Sequence, residues 1–311
     1  MGHVLVTGAA GFIGSHTVDR LLDAGHSVIG ADNFRTGRRA NLAAALASPR
    51  FAFHEIDVAA PGALEPIAAA SKPDAIIHLA ALVSVQESIM DPELNYSLNV
   101  RATHLMAEAA RRHGVRRIVF ASSAAIYGDT TDLPIRESAD KNPISPYGAA
   151  KLASEALLLG YGTAFGLTVC CLRYFNVFGP RQDPASPYSG VISIFDRRYR
   201  EGKGVTIYGD GKQTRDFISV HDAARANVLA ATAPEIRSGA ANICSGHATS
   251  LLDVVAVFAR HYPSAPAPVH GAPRAGDVIH SLGAPDLAAT TLGFRTAVAV
   301  ETELSELIET E

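Results

Sequence analysis

The chain opens on His3-Val4-Leu5-Val6-Thr7, an unbroken apolar run of the kind that forms a strand buried on both faces. A Gly-rich turn follows, then a helical pattern over residues 12–24 that Gly25 closes. The same alternation recurs. Apolar runs at 27–31, 51–56, 74–81, 115–121 and 167–174 predict strands. Longer patterns at 93–113 and 146–165 predict helices, stopped by Gly114 and Gly166. Strands separated by helices predict an α/β fold with a doubly wound parallel sheet. Beyond Phe175 the alternation lapses, loops lengthen, and Pro and Gly thicken, which sets a domain boundary near Asn176. Residues 1–175 form the first domain, with strand and helix contributions returning from about 214–245, and residues 176–311 form a smaller α/β domain. In the latter the pattern predicts helices at 191–201, 220–233, 251–262 and 297–308, a strand at 205–208, and a Pro/Ala loop at 263–273.

The first turn is Gly8-Ala9-Ala10-Gly11-Phe12-Ile13-Gly14, between a strand and a helix. In that context Gly8 and Gly11 let backbone N–H groups face a pyrophosphate at a helix N-terminus, and Gly14 lets helix and strand pack closely. The sheet is therefore of Rossmann type. The second strand ends in Asp32-Asn33, where an acid hydrogen-bonds the adenosine ribose and repels a 2′-phosphate, so the cofactor expected is NAD. Arg35, Arg38 and Arg39 follow, as solvated loop charges or as phosphate partners. Asp57-Val58 ends the third strand, at an adenine edge or as a plain helix cap. Leu79-Ala80-Ala81 ends the fourth with small residues that suit a cofactor passing close by, and Ser122-Ser123 ends the fifth. All these strand ends address one crevice. Asn99 falls inside the 93–113 pattern, unfavourable there unless it bonds something.

Tyr147 and Lys151 stand four residues apart in Ser145-Pro146-Tyr147-Gly148-Ala149-Ala150-Lys151. On a helix opened by Ser145 and Pro146 they share one face. An ammonium beside a phenol favours phenolate, so the Tyr147 pKa is expected to fall from ~10 toward neutrality, giving a proton-transfer pair.

Composition narrows the class. The chain has 311 residues, a net charge of −4 and no basic field of the kind nucleic-acid binding needs. No apolar run reaches the ~20 residues that span a bilayer, and the N-terminus enters a strand pattern without a charged leader. The expectation is a cytoplasmic protein with no membrane or nucleic-acid partner. Three Cys, two of them adjacent on a strand, read as buried reduced thiols, and the scattered His show no metal-ligand spacing, so no metal is expected.

Six stretches then carry a resemblance: Thr7–Ser15 (T-G-A-A-G-F-I-G-S), His78–Ala81 (H-L-A-A), Ser122–Gly128 (S-S-A-A-I-Y-G), Tyr147–Lys151 (Y-G-A-A-K), Arg173–Pro180 (R-Y-F-N-V-F-G-P) and Arg215–Asp222 (R-D-F-I-S-V-H-D). In this order they resemble the extended short-chain dehydrogenase/reductases that act on nucleotide sugars, most closely the UDP-hexose 4-epimerases. The related 4,6-dehydratases carry an Asp-Glu pair where this chain has Ala124-Ala125. The resemblance implies that Tyr147 takes the proton from the sugar 4-hydroxyl, that Ser123 steadies or relays it, and that C4 passes hydride to NAD. The 4-keto sugar then rotates and takes the hydride back on its other face. It implies that Lys151 binds the nicotinamide ribose and that Gly8, Gly11, Phe12, Ile13, Gly14, Asp32, Asn33, Asp57, Val58, Leu79, Ala80, Ala81, Asn99, Ser122, Tyr147 and Tyr174 line the NAD site.

For the UDP-sugar it implies Ser123, Tyr147, Asn176, Arg215, Arg274 and Asp277, with Tyr208 against the uracil or simply in the core. Ser281 falls where a bulky aromatic restricts the pocket to plain hexoses, so UDP-GlcNAc/GalNAc is expected beside UDP-Glc/Gal. Val83 stands where some hexose epimerases have Lys, which points the same way. The resemblance also implies a homodimer through the helices at 93–113 and 145–165, which could equally pack within one chain. A decarboxylase, a 4-reductase or an epimerase of another nucleotide sugar remain open on these residues, as does a non-catalytic NAD-binding module.

Overall fold

The computed structural model describes residues 2–183, 190–273, 278–297 and 299–310. Twelve strands are described, here β1 to β12: His3–Thr7, Ser27–Asp32, Phe51–Glu55, Ala75–His78, Arg117–Ser123, Thr168–Tyr174, Asn176–Phe178, Thr206–Tyr208, Thr214–Ser219, Gly239–Ile243, Ala248–Ser250 and Val269–Gly271. Seven form one sheet in the order β10-β6-β5-β4-β1-β2-β3, and every pairing in it is parallel. The order reverses between β1 and β4, so a crevice opens beyond the C-terminal ends of those strands. Thr7 and His78 stand opposite each other at its floor.

Both faces of the sheet are covered, as unbroken apolar strands require. Val4, Val6, Val28 and Ile77 pack against the helices Phe12–Asp23 and Val220–Thr232. Leu5, Ile76 and Ile118 face the helices Glu65–Ser71, Ala102–Arg112 and Pro146–Phe165. Each of these three side chains is fully buried, worth about 1.5–3 kcal/mol apiece. Helix Val220–Thr232 and β10 thus return to the large sheet, while β9 stays with the smaller one.

That smaller half holds the sheet β11-β9-β7 and the pair β12-β8 around a core of Phe178, Phe195, Tyr199, Phe217, Phe258 and Leu304. The helix Glu65–Ser71 and strands β7, β10 and β11 are additions to the sequence pattern, and two expected segments take another form. The expected loop at 263–273 contains β12, paired in parallel with β8. The expected helix at 93–113 is a short helix Pro92–Asn95, a wider π-helical turn Tyr96–Arg101, and the α-helix Ala102–Arg112. Among the described residues no helix is long and apolar enough to cross a membrane.

Candidate active site

The turn after β1 has the geometry its glycines predict. Gly8 adopts φ +70°, and a Cβ there would lie 2.7 Å from the Ala80 nitrogen. A Cβ on Gly14 would lie 1.9 Å from the Gly8 carbonyl oxygen. Strand, turn and helix therefore meet at backbone contact. Gly11 is the N-cap of helix Phe12–Asp23, whose first turn no side chain caps, and Phe12 and Ile13 open it half-buried. This is an arrangement that suits a pyrophosphate.

Asp32 is buried at the end of β2, where its carboxylate accepts from Ala10 N (2.9 Å) and Phe34 N (2.7 Å). Burial raises its pKa, and those backbone donors oppose the rise. Asn33 is exposed and accepts from Arg35 N, at 3.0 Å. Arg35 pairs with Glu87, and Arg38 pairs with Asp183 at 2.7 Å, so both guanidiniums are engaged by carboxylates. Asp57 is exposed and accepts from Ala59 N in the manner of a cap, while Val58 is buried in the core. Leu79, Ala80 and Ala81 line the end of β4, all half-buried.

Asn99 lies in the π-helical turn, buried. Its Nδ2 donates to Leu82 O (3.0 Å) and Asn95 Oδ1 (2.8 Å), whereas its Oδ1 is buried without a protein partner. Its backbone oxygen accepts from Thr103 Oγ1 (2.5 Å) and from Ser154 Oγ (3.2 Å) on the helix Pro146–Phe165. The wider turn frees that carbonyl for two hydroxyls and turns the amide inward. A buried acceptor awaiting a donor, together with the glycine cradle, fits a dinucleotide.

Ser123 ends β5 and caps the 3₁₀ turn Ala124–Ile126, its Oγ accepting from Ala125 N at 3.1 Å. Ser145 caps the helix Pro146–Phe165 by accepting from Gly148 N at 3.1 Å. Tyr147, on its first turn, lies beside the Ser123 hydroxyl, which favours its ionised form, and its backbone N–H donates to Ser88 Oγ at 3.1 Å. Lys151 is buried one turn on, its Nζ 5.8 Å from the Tyr147 ring centroid and donating to Ala121 O at 2.9 Å.

Here the expected electrostatics is corrected. Burial pushes the Tyr147 hydroxyl up rather than down, and the Ser123 hydroxyl only partly offsets it. Burial also lowers Lys151 to about 7. Gly148, which the sequence reading left unassigned, makes the meeting possible: a Cβ there would lie 2.6 Å from the Ala125 carbonyl oxygen.

Ser122 is buried and donates to Glu155 Oε2 at 2.8 Å. Tyr174 is buried opposite Ser123, and its hydroxyl donates to Asn227 Oδ1 at 2.5 Å.

On the facing wall Asn176 donates to Asp216 O (3.2 Å), and Arg215 Nη1 to Thr214 O (2.9 Å) and Ile279 O (3.3 Å). Ser281 is half-buried, with its N–H on Thr214 O at 3.1 Å. Asn176, Arg215 and Ser281 thus gather on β7, β9 and the segment beside β9. Tyr208 ends β8, partly exposed. Arg274 and Asp277 lie outside the described residues.

Asp216, another residue the sequence reading left unassigned, organises this wall. Fully buried, it accepts from Ser245 N (2.7 Å), Ser245 Oγ (2.7 Å), Gly246 N (3.0 Å) and Gly283 N (3.1 Å). Its motif was visible, but a buried carboxylate's partners from distant loops carry no local signal.

The family profile described as NAD dependent epimerase/dehydratase matches residues 4–244. The chain belongs to that family. Its members similar to this chain include the UDP-glucose 4-epimerase of Mycolicibacterium smegmatis, 38% identical over 98% of this chain and 97% of that protein. Among solved structures, the UDP-glucose 4-epimerase of Thermotoga maritima with UDP-glucose superposes with TM-score 0.93 at 35% identity, covering 99% of this chain and 97% of the other. The UDP-N-acetylglucosamine 4-epimerase of Methanobrevibacter ruminantium, in complex with UDP-N-acetylmuramic acid, gives 0.93 at 34% identity with the same coverage. NAD is the cofactor of this epimerase/dehydratase chain, and the glycine cradle has the geometry of a dinucleotide pyrophosphate site.

Proposed function

We propose that the protein is an NAD-dependent UDP-hexose 4-epimerase that interconverts gluco and galacto forms through a transient 4-keto sugar. The observation that carries this is the meeting of Ser123, Tyr147 and Lys151 at the end of β5, with Lys151 Nζ 5.8 Å from the Tyr147 ring centroid and anchored on Ala121 O. NAD supplies the acceptor and donor of the C4 hydride. Tyr147 takes and returns the proton of the 4-hydroxyl, and Ser123 holds the same oxygen in line. Lys151, anchored on Ala121 O, supplies charge beside the phenol and reaches the nicotinamide ribose. The glycine cradle, Asp32, Leu79–Ala81 and Asn99 bind the dinucleotide; Asn176 and Arg215, with Arg274 and Asp277, hold the diphosphate and uridine.

Ser281 presents a small side chain to the sugar end, which supports acceptance of a 2-acetamido group, so UDP-GlcNAc and UDP-GalNAc join UDP-Glc and UDP-Gal as substrates. Exposed Ala153, Ala156 and Gly160, with exposed Tyr96 and Phe165, support a homodimer through the outer faces of the π-helical turn Tyr96–Arg101 and the helix Pro146–Phe165. The buried free thiols Cys170, Cys171 and Cys244 support a cytoplasmic, reducing setting.

Tyr147→Phe tests the mechanism. It removes one hydroxyl and leaves the cradle intact, so the purified variant should retain NAD while turnover of UDP-glucose falls about 10²–10⁴-fold. Turnover at the wild-type rate would contradict the assignment.

A further inference from the structure

Behind the catalytic strand end lies a buried polar network that the mechanism above does not use. Glu155 sits one turn beyond Lys151 on the same helix, buried. Its Oε2 accepts from Ser122 Oγ (2.8 Å) and Arg173 Nε (3.2 Å), and its Oε1 from Arg173 Nη2 (2.5 Å). The two charged side chains are 4% and 6% exposed. Arg173 stands opposite Ser122 in the pairing of β6 with β5. Its Nη1 donates onward to Tyr127 Oη (2.8 Å) and Glu137 O (3.2 Å), and Tyr127 donates to Asn242 Oδ1 in β10 (2.6 Å). One carboxylate therefore joins the helix that carries Tyr147 and Lys151 to the residue preceding Ser123. One guanidinium then extends that join to the turn following Ser123 and to the edge strand of the sheet.

The need for such a join follows from where the catalytic groups sit. Two ride on the helix and one on the strand. Apart from the Lys151–Ala121 bond and the close approach of Gly148 to Ala125, that interface is Leu158 and its apolar neighbours against the sheet, and apolar burial is non-directional: it fixes neither the rotation nor the slide of the helix. A bidentate guanidinium–carboxylate pair is directional in both senses. Stability alone does not call for it, because a buried ion pair is commonly replaceable by apolar side chains of similar volume.

We propose that Glu155 and Arg173 are positioning residues that set the register between the catalytic helix and the end of β5, acting on Ser123 through Ser122. The Lys151–Ala121 hydrogen bond and the meeting of Ser123 with Tyr147 are what this register delivers. The role rests on the catalytic assignment made above, and its test is arranged so that the two fail separately.

Glu155→Met/Arg173→Met replaces the pair with apolar volume, and Ser122→Ala removes only the link to β5. Both variants are assayed with UDP-glucose for kcat, KM and bound NAD. The double variant should lose about tenfold or more in kcat, since small misplacements in an active site cost up to ~10² in rate, with KM and NAD content near wild type. Ser122→Ala should lose several-fold in the same pattern, and it decides the matter if the double variant fails to fold. Wild-type kcat in the folded variants would overturn the proposal, as would equal losses in NAD content and activity.

Crystal structures of the variants answer without any substrate. The Lys151–Ala121 bond should lengthen beyond hydrogen-bond distance while the sheet stays superposable. Its retention at 2.9 Å would overturn the positioning role even if the wild type turned over no UDP-hexose.

Discussion

Lys151 carries the sharpest consequence at the scale of a single residue. Burial lowers its pKa to about 7 from an ordinary ~10.4, so between those values the unfolded chain holds a proton that the folded protein has shed. Unfolding free energy then rises with pH across that window, by at most about 1.4 kcal/mol per pH unit for one proton. The buried thiols act in the opposite sense. Burial pushes Cys170 up to about 11 and raises Cys171 and Cys244 too, and each lowers stability above ~8.5, where the unfolded thiols ionise. The clean interval is pH 7 to 8.5. Urea unfolding of NAD-free wild type should show stability climbing there relative to Lys151→Met; parallel curves would contradict the depressed pKa. Tyr147 and Lys151 were legible because a four-residue spacing on a helix is a local pattern. The direction of the Tyr147 shift was not, because it depends on the desolvation of a half-buried phenol by its folded surroundings, and charge proximity alone suggested the opposite. Gly148 and Asp216 escaped for a related reason: each matters through a contact with Ala125 or Gly283 that only the folded chain creates.

At the scale of elements, the turn between β1 and its helix brings strand and helix to backbone contact through its glycines. Gly14→Ala places a methyl 1.9 Å from the Gly8 carbonyl oxygen, so the helix or the turn must move. Overpacking of this kind costs about 1–3 kcal/mol. The variant should purify with little bound NAD and melt lower than wild type; full NAD content and an unchanged Tm would show the close approach to be dispensable. That turn was readable because glycine spacing between a strand and a helix has few alternative uses. The π-helical turn at Tyr96–Arg101 was not, since one extra residue per turn barely disturbs an apolar periodicity. Asn99 was the visible clue: a mid-helix amide needs partners, and the wider turn supplies Leu82 O and Asn95 Oδ1. Strand β12 escaped because three residues are too few to show alternation.

At the scale of the whole molecule, the proposed function has one crevice shared by two unlike walls. The parallel sheet supplies the cradle and Ser123 from the ends of β1, β2, β4 and β5, and the helix Pro146–Phe165 beside it supplies Tyr147 and Lys151. The smaller half supplies Asn176, Arg215 and Ser281 from a sheet tied together through Asp216. The regular alternation of strand and helix made the first wall plain in the sequence. The second is built from short strands and loop crossings that meet only in three dimensions, and its residues were named through family resemblance. The measurement that bears most directly on the whole account uses purified protein with no NAD added, incubated separately with UDP-glucose and UDP-GlcNAc. The anomeric proton signals are followed by NMR. The account predicts the galacto epimer from both sugars, formed on retained NAD, with UDP-GlcNAc admitted past Ser281. No epimer from either sugar, even after NAD is supplied, would contradict it.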